Sequence, residues 1–153
     1  MSIQEWLDEY AISHQNTTNK AIHWICVPLI VWSIILLLLS IPEPLFIRKL
    51  HLNWAWIASS LAIFWYFIIS PSLAIGMTIF LGALNFFSLQ IENTSSYPVW
   101  AIGLAIFVIA WIGQFFGHHI EGKKPSFLKD VQFLLIGPVW LMHFIYKKLG
   151  WKY

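Results

Sequence analysis

The sequence predicts an all-α integral membrane protein with four transmembrane helices. Of its 153 residues, 59% are hydrophobic and 10% are charged, whereas an ordinary soluble domain is roughly 45–50% apolar and about 25% charged. The apolar residues fall into four long runs separated by short polar segments. Ten tryptophans and five tyrosines are also present, and their amphipathic rings favour the membrane–water interface. A soluble, wholly buried helical bundle is the alternative, and four runs of this length with so few charges disfavour it.

Residues 2–13 predict an amphipathic helix that lies on the bilayer or on the rest of the protein. Its apolar residues follow the spacing i, i+3, i+4, i+7, i+8: Ile3, Trp6, Leu7, Tyr10 and Ala11. Ser2 and Glu5 have capping-box spacing. The helix is too short and too charged to span a membrane.

The polar segment 14–20 predicts a break in the helix and the start of a new one. Asn and Thr clusters are typical of turns and N-caps. Within the new helix, Asn19 and His23 share a face at i+4. On one continuous helix, His14 and His23 would point in nearly opposite directions. A break between them allows both to face one site, and we predict that break.

The four predicted spans cover residues 24–41, 53–69, 73–89 and 98–116, each close to the 17–25 apolar residues that a membrane helix needs. A tight turn is expected at residues 70–72 and a polar loop at 90–97. Asn85, a polar residue within the third span, is expected to form a hydrogen bond to another helix. Cys26 cannot form an internal disulfide, because it is the single cysteine, and it is expected to pack as a small hydrophobe.

The C-terminal segment 127–146 is a fifth span, a re-entrant segment or an interfacial, half-buried helix. Lys129, Asp130, Gln132 and a Gly137-Pro138 pair interrupt its apolar character, which favours the interfacial helix.

Four crossings would place both ends of the bundle on one membrane face. His14 and His23 precede the first span, and His118 and Glu121 follow the fourth, so all four share a side; His51 falls on the other. Lysines accumulate on the first side, which predicts a cytoplasmic N-terminus and site. The expected location is a bacterial inner membrane, or the endoplasmic reticulum in a eukaryote. The net charge is only +2, which disfavours a nucleic-acid partner.

A second polar motif follows the fourth run. If residues 111–125 begin as a helix, Gln114, His118 and Glu121 share one face. An amide thus precedes a histidine by one turn in both motifs, Asn19 before His23 and Gln114 before His118, and such an amide can fix the tautomer of a metal-binding imidazole. Histidines with a carboxylate and open positions suit non-haem Fe(II), although imidazole also suits Zn, Cu and Ni. Interfacial histidines that simply reach water are the alternative.

The neighbouring polar residues allow several roles. His119 lies about 100° around the helix from His118 and is either a fourth ligand or a polar neighbour. Glu121 is a metal ligand, an anchor for the site, a general base or a surface charge. Lys123 and Lys124 are candidates for binding an anionic head group.

Together these motifs resemble a small multi-pass membrane family that includes the yeast endoplasmic-reticulum 2-hydroxy fatty acid dioxygenase of phytosphingosine breakdown. The matching patterns are Tyr10-x3-His14-x-Asn16-x2-Asn19-x3-His23 and Gln114-Phe115-x-Gly117-His118-x2-Glu121-Gly122-x2-Pro125. The resemblance implies an Fe(II) enzyme, independent of 2-oxoglutarate, that uses O2 to shorten 2-hydroxy fatty acids by one carbon.

The resemblance also implies roles for individual residues. It makes His14, His23 and His118 metal ligands, with Asn19, Gln114 and Glu121 as supporting or catalytic residues; the acyl tail would lie among the spans. A di-iron desaturase or hydroxylase is disfavoured, because its repeated histidine boxes are missing from this sequence. A non-catalytic lipid-binding or adaptor protein remains the alternative.

Overall fold

The computed structural model describes residues 2–122 and 133–153, and within these ranges the chain forms seven helices and no strands. The all-α prediction is therefore confirmed for the part of the chain that the structure describes. The helices are α1 Ile3–Ala11, α2 Thr17–Leu39, α3 Leu45–Lys49, α4 Trp54–Ile69, α5 Pro71–Thr94, α6 Val99–Glu121 and α7 Ile136–Leu149.

Three helices, α2, α5 and α6, are long and apolar enough to cross a membrane. Helix α4 is also apolar but has only 16 residues, fewer than the roughly 20 of a typical span. Large apolar side chains are exposed on the outer faces of these helices, including Ile25, Phe64, Ile79 and Ile109. Such a surface is suited to hydrocarbon rather than to water, so the fold is compatible with a membrane.

Helix α2 begins at Thr17, within the segment 14–20 where a new helix was predicted to start, and His23 lies within it as expected. The predicted end of the third apolar helix is wrong, because that helix continues into polar sequence. Helix α5 continues to Thr94, although a loop was predicted from residue 90. Gln90 and Glu92 are good helix formers, and polar residues alone do not end a helix.

The predicted break before α2 is confirmed. Helix α1 starts with the expected capping box: the Glu5 backbone N–H donates to Ser2 Oγ, and the Ser2 N–H donates to the Glu5 carboxylate. It ends at Ala11. A new N-cap then forms at Asn16, whose side-chain oxygen accepts hydrogen bonds from the first turn of α2. His14 therefore lies in the connection, where the chain can turn it toward α2.

Glycines on α6 allow it to pack closely along α2. A Cβ atom on Gly113 would lie 2.5 Å from Cys26 Sγ, and one on Gly117 would lie 2.4 Å from Asn19 Oδ1. Real Cβ atoms do not approach this closely, so a larger residue at either position would force a neighbouring side chain or helix to shift, and glycine allows the close packing. Cys26 is buried in this contact, as predicted for a small hydrophobe.

Helices α4 and α5 form a second packed pair. Asn85 Nδ2 on α5 donates a 2.8 Å hydrogen bond to Ser59 Oγ on α4, which confirms the predicted role of Asn85. The same amide donates to the carbonyl of Leu81 at 2.9 Å. A polar side chain between two apolar helices is thus satisfied within the protein.

Helix α7 contains most of the described part of the ambiguous C-terminal segment, which begins at residue 133; residues 127–132 lie outside the described ranges. It has 14 residues, too few to span a bilayer. Its first six residues are all buried, as are His143 and Tyr146 farther along the helix. Tyr146 donates a 2.7 Å hydrogen bond to the Ser72 carbonyl at the start of α5. The described part of the segment is therefore a helix docked on the bundle.

Candidate metal centre

Three histidines from separate segments converge at one end of the α2–α6 pair. His14 comes from the α1–α2 connection, His23 from α2 and His118 from the end of α6. All three are buried, with at most 6% of their surface exposed. One ring nitrogen of each lies within 4.8 Å of those of the other two. A metal ion could therefore contact all three rings at once.

Backbone carbonyl groups orient two of these rings. His14 Nδ1 lies 2.6 Å from the Tyr10 carbonyl, and His23 Nδ1 lies 2.9 Å from the Asn19 carbonyl. A carbonyl only accepts, so Nδ1 carries the proton in each ring and the basic lone pair is on Nε2. The sequence predicted that an amide side chain would fix the tautomer of His23. At Asn19 the backbone does this instead, because the side chain turns toward Glu121.

The Glu121 carboxylate links the end of α6 to the connection that carries His14. It accepts hydrogen bonds from the Gln15 N–H at 2.8 Å, from the Asn16 N–H at 3.0 Å and from Asn19 Nδ2 at 2.9 Å. Of the roles that the sequence left open for Glu121, this geometry matches the anchor.

Gln114 lies one turn before His118, as predicted, and is 7% exposed. It lines a cavity of about 30 Å³ together with His23 and His118. Its Oε1 atom is buried and has no hydrogen-bond partner among the described residues. The cavity is large enough for a ligand the size of a water molecule, and Gln114 supplies it with a polar group.

Two aromatic side chains pack against His14: Tyr10, the first residue of the first histidine motif, and Trp140, for which the sequence predicted no part in the site. Tyr10 stacks on His14 with ring centroids 4.1 Å apart and an interplanar angle of 7°. The ring centroid of Trp140 on α7 lies 5.4 Å from that of His14 and 5.2 Å from that of Tyr10. The i+4 spacing from Tyr10 to His14 was a usable signal for the first contact. Nothing local indicated Trp140, which reaches the site only through the docking of α7.

The remaining histidines that the structure describes lie outside the cluster. His119 is exposed on α6, because the next residue of a helix points about 100° away. Lys123 and Lys124 lie outside the described residues. His51 is exposed in the connection after α3, and His143 is buried on α7, where its Nδ1–H donates to the Trp140 carbonyl. Burial lowers the pKa of His143, although this hydrogen bond opposes the shift.

Residues 1–149 match the model of a protein family described as "2-hydroxy-palmitic acid dioxygenase Mpo1-like". The chain belongs to this Mpo1-like family. The resemblance inferred from the two histidine motifs is thereby confirmed, and both motifs lie inside the matched range. No curated protein and no solved structure shows significant similarity to the chain. The family description suggests a function related to 2-hydroxy fatty acid dioxygenation.

Proposed function

We propose that this Mpo1-like protein is an Fe(II)-dependent dioxygenase that shortens 2-hydroxy fatty acids by one carbon at the membrane surface. The observation that carries the proposal is the convergence of His14, His23 and His118, whose ring nitrogens lie within 4.8 Å of one another. The family description, which names a 2-hydroxy-palmitic acid dioxygenase, supplies the substrate class.

The residues present suit a catalytic iron ion. Three histidines leave coordination positions open, which is typical of catalytic rather than structural sites. Imidazole nitrogens bind Fe, Zn, Cu and Ni, and the oxidative chemistry in the family description favours iron among these. When bound, Fe(II) supplies reactivity toward O2 and a Lewis-acid site for the carboxylate and hydroxyl oxygens of the substrate.

The proposed reaction balances without a further reductant. The bond between C1 and C2 of the 2-hydroxy acid breaks, C1 leaves as CO2, and C2 becomes the carboxyl carbon of the shorter acid. The substrate loses four electrons, all of which one O2 accepts, and the remaining oxygen atom leaves as water. The substrate itself therefore replaces 2-oxoglutarate as the source of electrons.

The residues around the cluster have distinct proposed tasks. The Gln114 amide, buried in the cavity beside His23 and His118, orients the head group of the substrate through a hydrogen bond. Tyr10 and Trp140 exclude water from the His14 side. Asn19 and Glu121 hold the connection that carries His14 and are positioning residues. Lys123 and Lys124, just beyond the end of α6, remain predicted contacts for the substrate carboxylate.

We further propose four membrane crossings, with the site on the cytoplasmic face. Helix α2 leads away from the cluster and α6 returns to it, so the chain between them crosses the membrane an even number of times. Helix α4 must then cross together with α5, despite its 16 residues. Lys20 on the site side and Lys49 on the other allow a test in a Cys26→Ala background. A membrane-impermeant thiol reagent added outside intact cells should label Lys49→Cys but not Lys20→Cys, and the reverse pattern would invert the orientation.

Metal analysis of protein purified without oxygen tests the function. Wild type and His119→Ala should retain iron, whereas His23→Ala and His118→Ala should lose it; His119→Ala is the matched control because its ring is exposed on the same helix end. Adding 2-hydroxypalmitate and O2 to wild type should then yield pentadecanoate and CO2. Metal-free wild type, or iron unaffected by the His23 and His118 substitutions, would refute the proposal and favour the non-catalytic lipid-binding protein. Zinc in place of iron would indicate a structural site.

A further inference from the structure

A second, apolar cavity of about 120 Å³ lies among α2, α4, α5 and the start of α7. We propose that this cavity holds the acyl tail of the substrate and that Ala58 and Ala62 of α4 set the chain length it accepts. The inference rests on the proposed function, because it takes the head group of the same molecule to lie at the histidine cluster.

The apolar cavity adjoins the cavity at the histidines. Val31, Leu134 and Pro138 line both. Helix α2 lines both cavities, from His23 in the first to Leu38 in the second. These two residues are about 22 Å apart along the helix axis, at 1.5 Å per residue. One leaflet of a bilayer, filled by single lipid chains, is roughly 15 Å thick. The two cavities together therefore extend far enough for a long fatty acid.

The walls of the second cavity are almost entirely apolar among the residues that the structure describes. The polar side chains among these lining residues are Ser59 and Tyr66. Ser59 Oγ accepts a hydrogen bond from Asn85, and Tyr66 OH donates to the Leu135 carbonyl at 2.6 Å. An engineered aliphatic cavity of roughly 150 Å³ stays dry and takes up benzene, so a cavity of this size and lining is suited to a hydrocarbon chain.

Access to this cavity is from the side of the bundle. Ile34 and Leu38 of α2 and Ala58 and Ala62 of α4 line the cavity and are only partly buried, so we place its opening between these two helices. That surface is apolar, so a tail could enter from the hydrocarbon of a bilayer without crossing water. Ala58 and Ala62 lie one turn apart on this wall, and because their side chains are small, the opening is wide enough for an acyl chain.

The continuity of the cavities favours a substrate tail over the chain of an ordinary membrane lipid. If an acyl chain lies in the apolar cavity, its head group lies in or near the adjoining cavity, which His23, His118 and Gln114 line. The head group of a 2-hydroxy acid consists only of a carboxylate and a hydroxyl, whereas a phospholipid head group is several times larger, so the small cavity beside the histidines favours the 2-hydroxy acid.

Photolabelling tests the site independently of turnover. A 2-hydroxypalmitate with a diazirine near its methyl end would be bound without O2 to iron-loaded protein and then irradiated. In wild type, the label should map to cavity residues such as Leu38 and Met77, and excess 2-hydroxypalmitate should compete. Ala62→Phe, which fills the cavity, should lose this labelling, whereas Leu61→Phe should keep it because position 61 is exposed on the outer face. Retained iron in both variants shows that they fold.

Chain-length preference gives the second readout. In Ala62→Phe, the kcat/KM ratio for 2-hydroxydecanoate over 2-hydroxypalmitate should rise by roughly tenfold, because each methylene kept out of the cavity loses several-fold in binding. Ala58→Leu is a milder variant that should shift the ratio in the same direction.

The outcomes separate the two proposals. Labelling that persists in Ala62→Phe, or an unchanged chain-length ratio in an active variant, would overturn the cavity assignment and leave the proposed function intact. Competition by phospholipid as effective as that by 2-hydroxypalmitate would also overturn it, since the site would then bind bilayer lipid. Cavity labelling in wild type that lacks iron and turnover would instead support the acyl site and refute the dioxygenase.

Discussion

The side-chain amide of Asn19 donates a 2.9 Å hydrogen bond to the carboxylate of Glu121, across 102 positions of the sequence. It joins the first turn of α2 to the last residue of α6. Glu121 also accepts from the backbone of Gln15 and Asn16, next to His14. The position of His14 relative to His23 and His118 therefore depends on a carboxylate that is not itself in the histidine cluster.

The anchoring role predicts a partial loss of iron when the carboxylate is removed. Glu121→Ala should weaken iron retention against a competing chelator by about 10–100-fold, the usual effect of losing a group that orients metal ligands. The loss is incomplete because the three imidazoles remain. Glu92→Ala, an exposed carboxylate on α5, should change nothing. If Glu121→Ala removed iron as completely as His118→Ala, Glu121 would be a ligand.

Two glycines should respond in opposite directions to the same substitution. In Gly117→Ala the new Cβ would lie 2.4 Å from Asn19 Oδ1, so the helices or the Asn19 side chain must shift, at a cost of about 1–3 kcal/mol. In Gly82→Ala the new Cβ meets nothing within 4 Å, and the variant should be more stable by about 0.5–1 kcal/mol. Denaturation of the purified protein in detergent measures both, and equal effects would contradict the close α2–α6 contact.

The ring of Tyr10 should matter more than its hydroxyl. Tyr10 is 5% exposed and stacks on His14, so Tyr10→Ala should lower the free energy of unfolding by about 3–5 kcal/mol, as for other buried aromatics, and should weaken iron binding. Tyr10→Phe preserves the stacked ring and should retain iron as wild type does. Loss of iron in the Phe variant would show that the hydroxyl, rather than the ring, supports the site.

The Asn85–Ser59 hydrogen bond should contribute modestly to stability. Hydrogen bonds between membrane helices average about 0.6 kcal/mol and reach about 1.7 kcal/mol. A double-mutant cycle with Asn85→Ala and Ser59→Ala should give a coupling energy in that range. A coupling near zero would mean that Asn85 is satisfied equally well by the Leu81 carbonyl of its own helix.

Much of the fold could be predicted because apolar patterning and helix length are local properties. The runs of apolar residues located the long helices, and the polar segment 14–20 located the break between α1 and α2. The spacing of Asn19 with His23, and of Gln114 with His118, placed each pair on one helical face. Helix ends were less predictable, since Gln90 to Thr94 are polar yet continue α5.

The sequence by itself determined that the chain is helical and apolar, and it predicted that His14, His23 and His118 share one site while leaving His119 open. Tertiary structure decided how that site is built, because hydrogen bonds and cavities depend on segments far apart in the chain. Only the fold shows that a backbone carbonyl orients His23, that Glu121 fastens the loop beside His14, and that His119 stays outside. The packing of α2 against α4, α5 and α7 likewise creates the apolar cavity beside the histidines, which no single helix encodes.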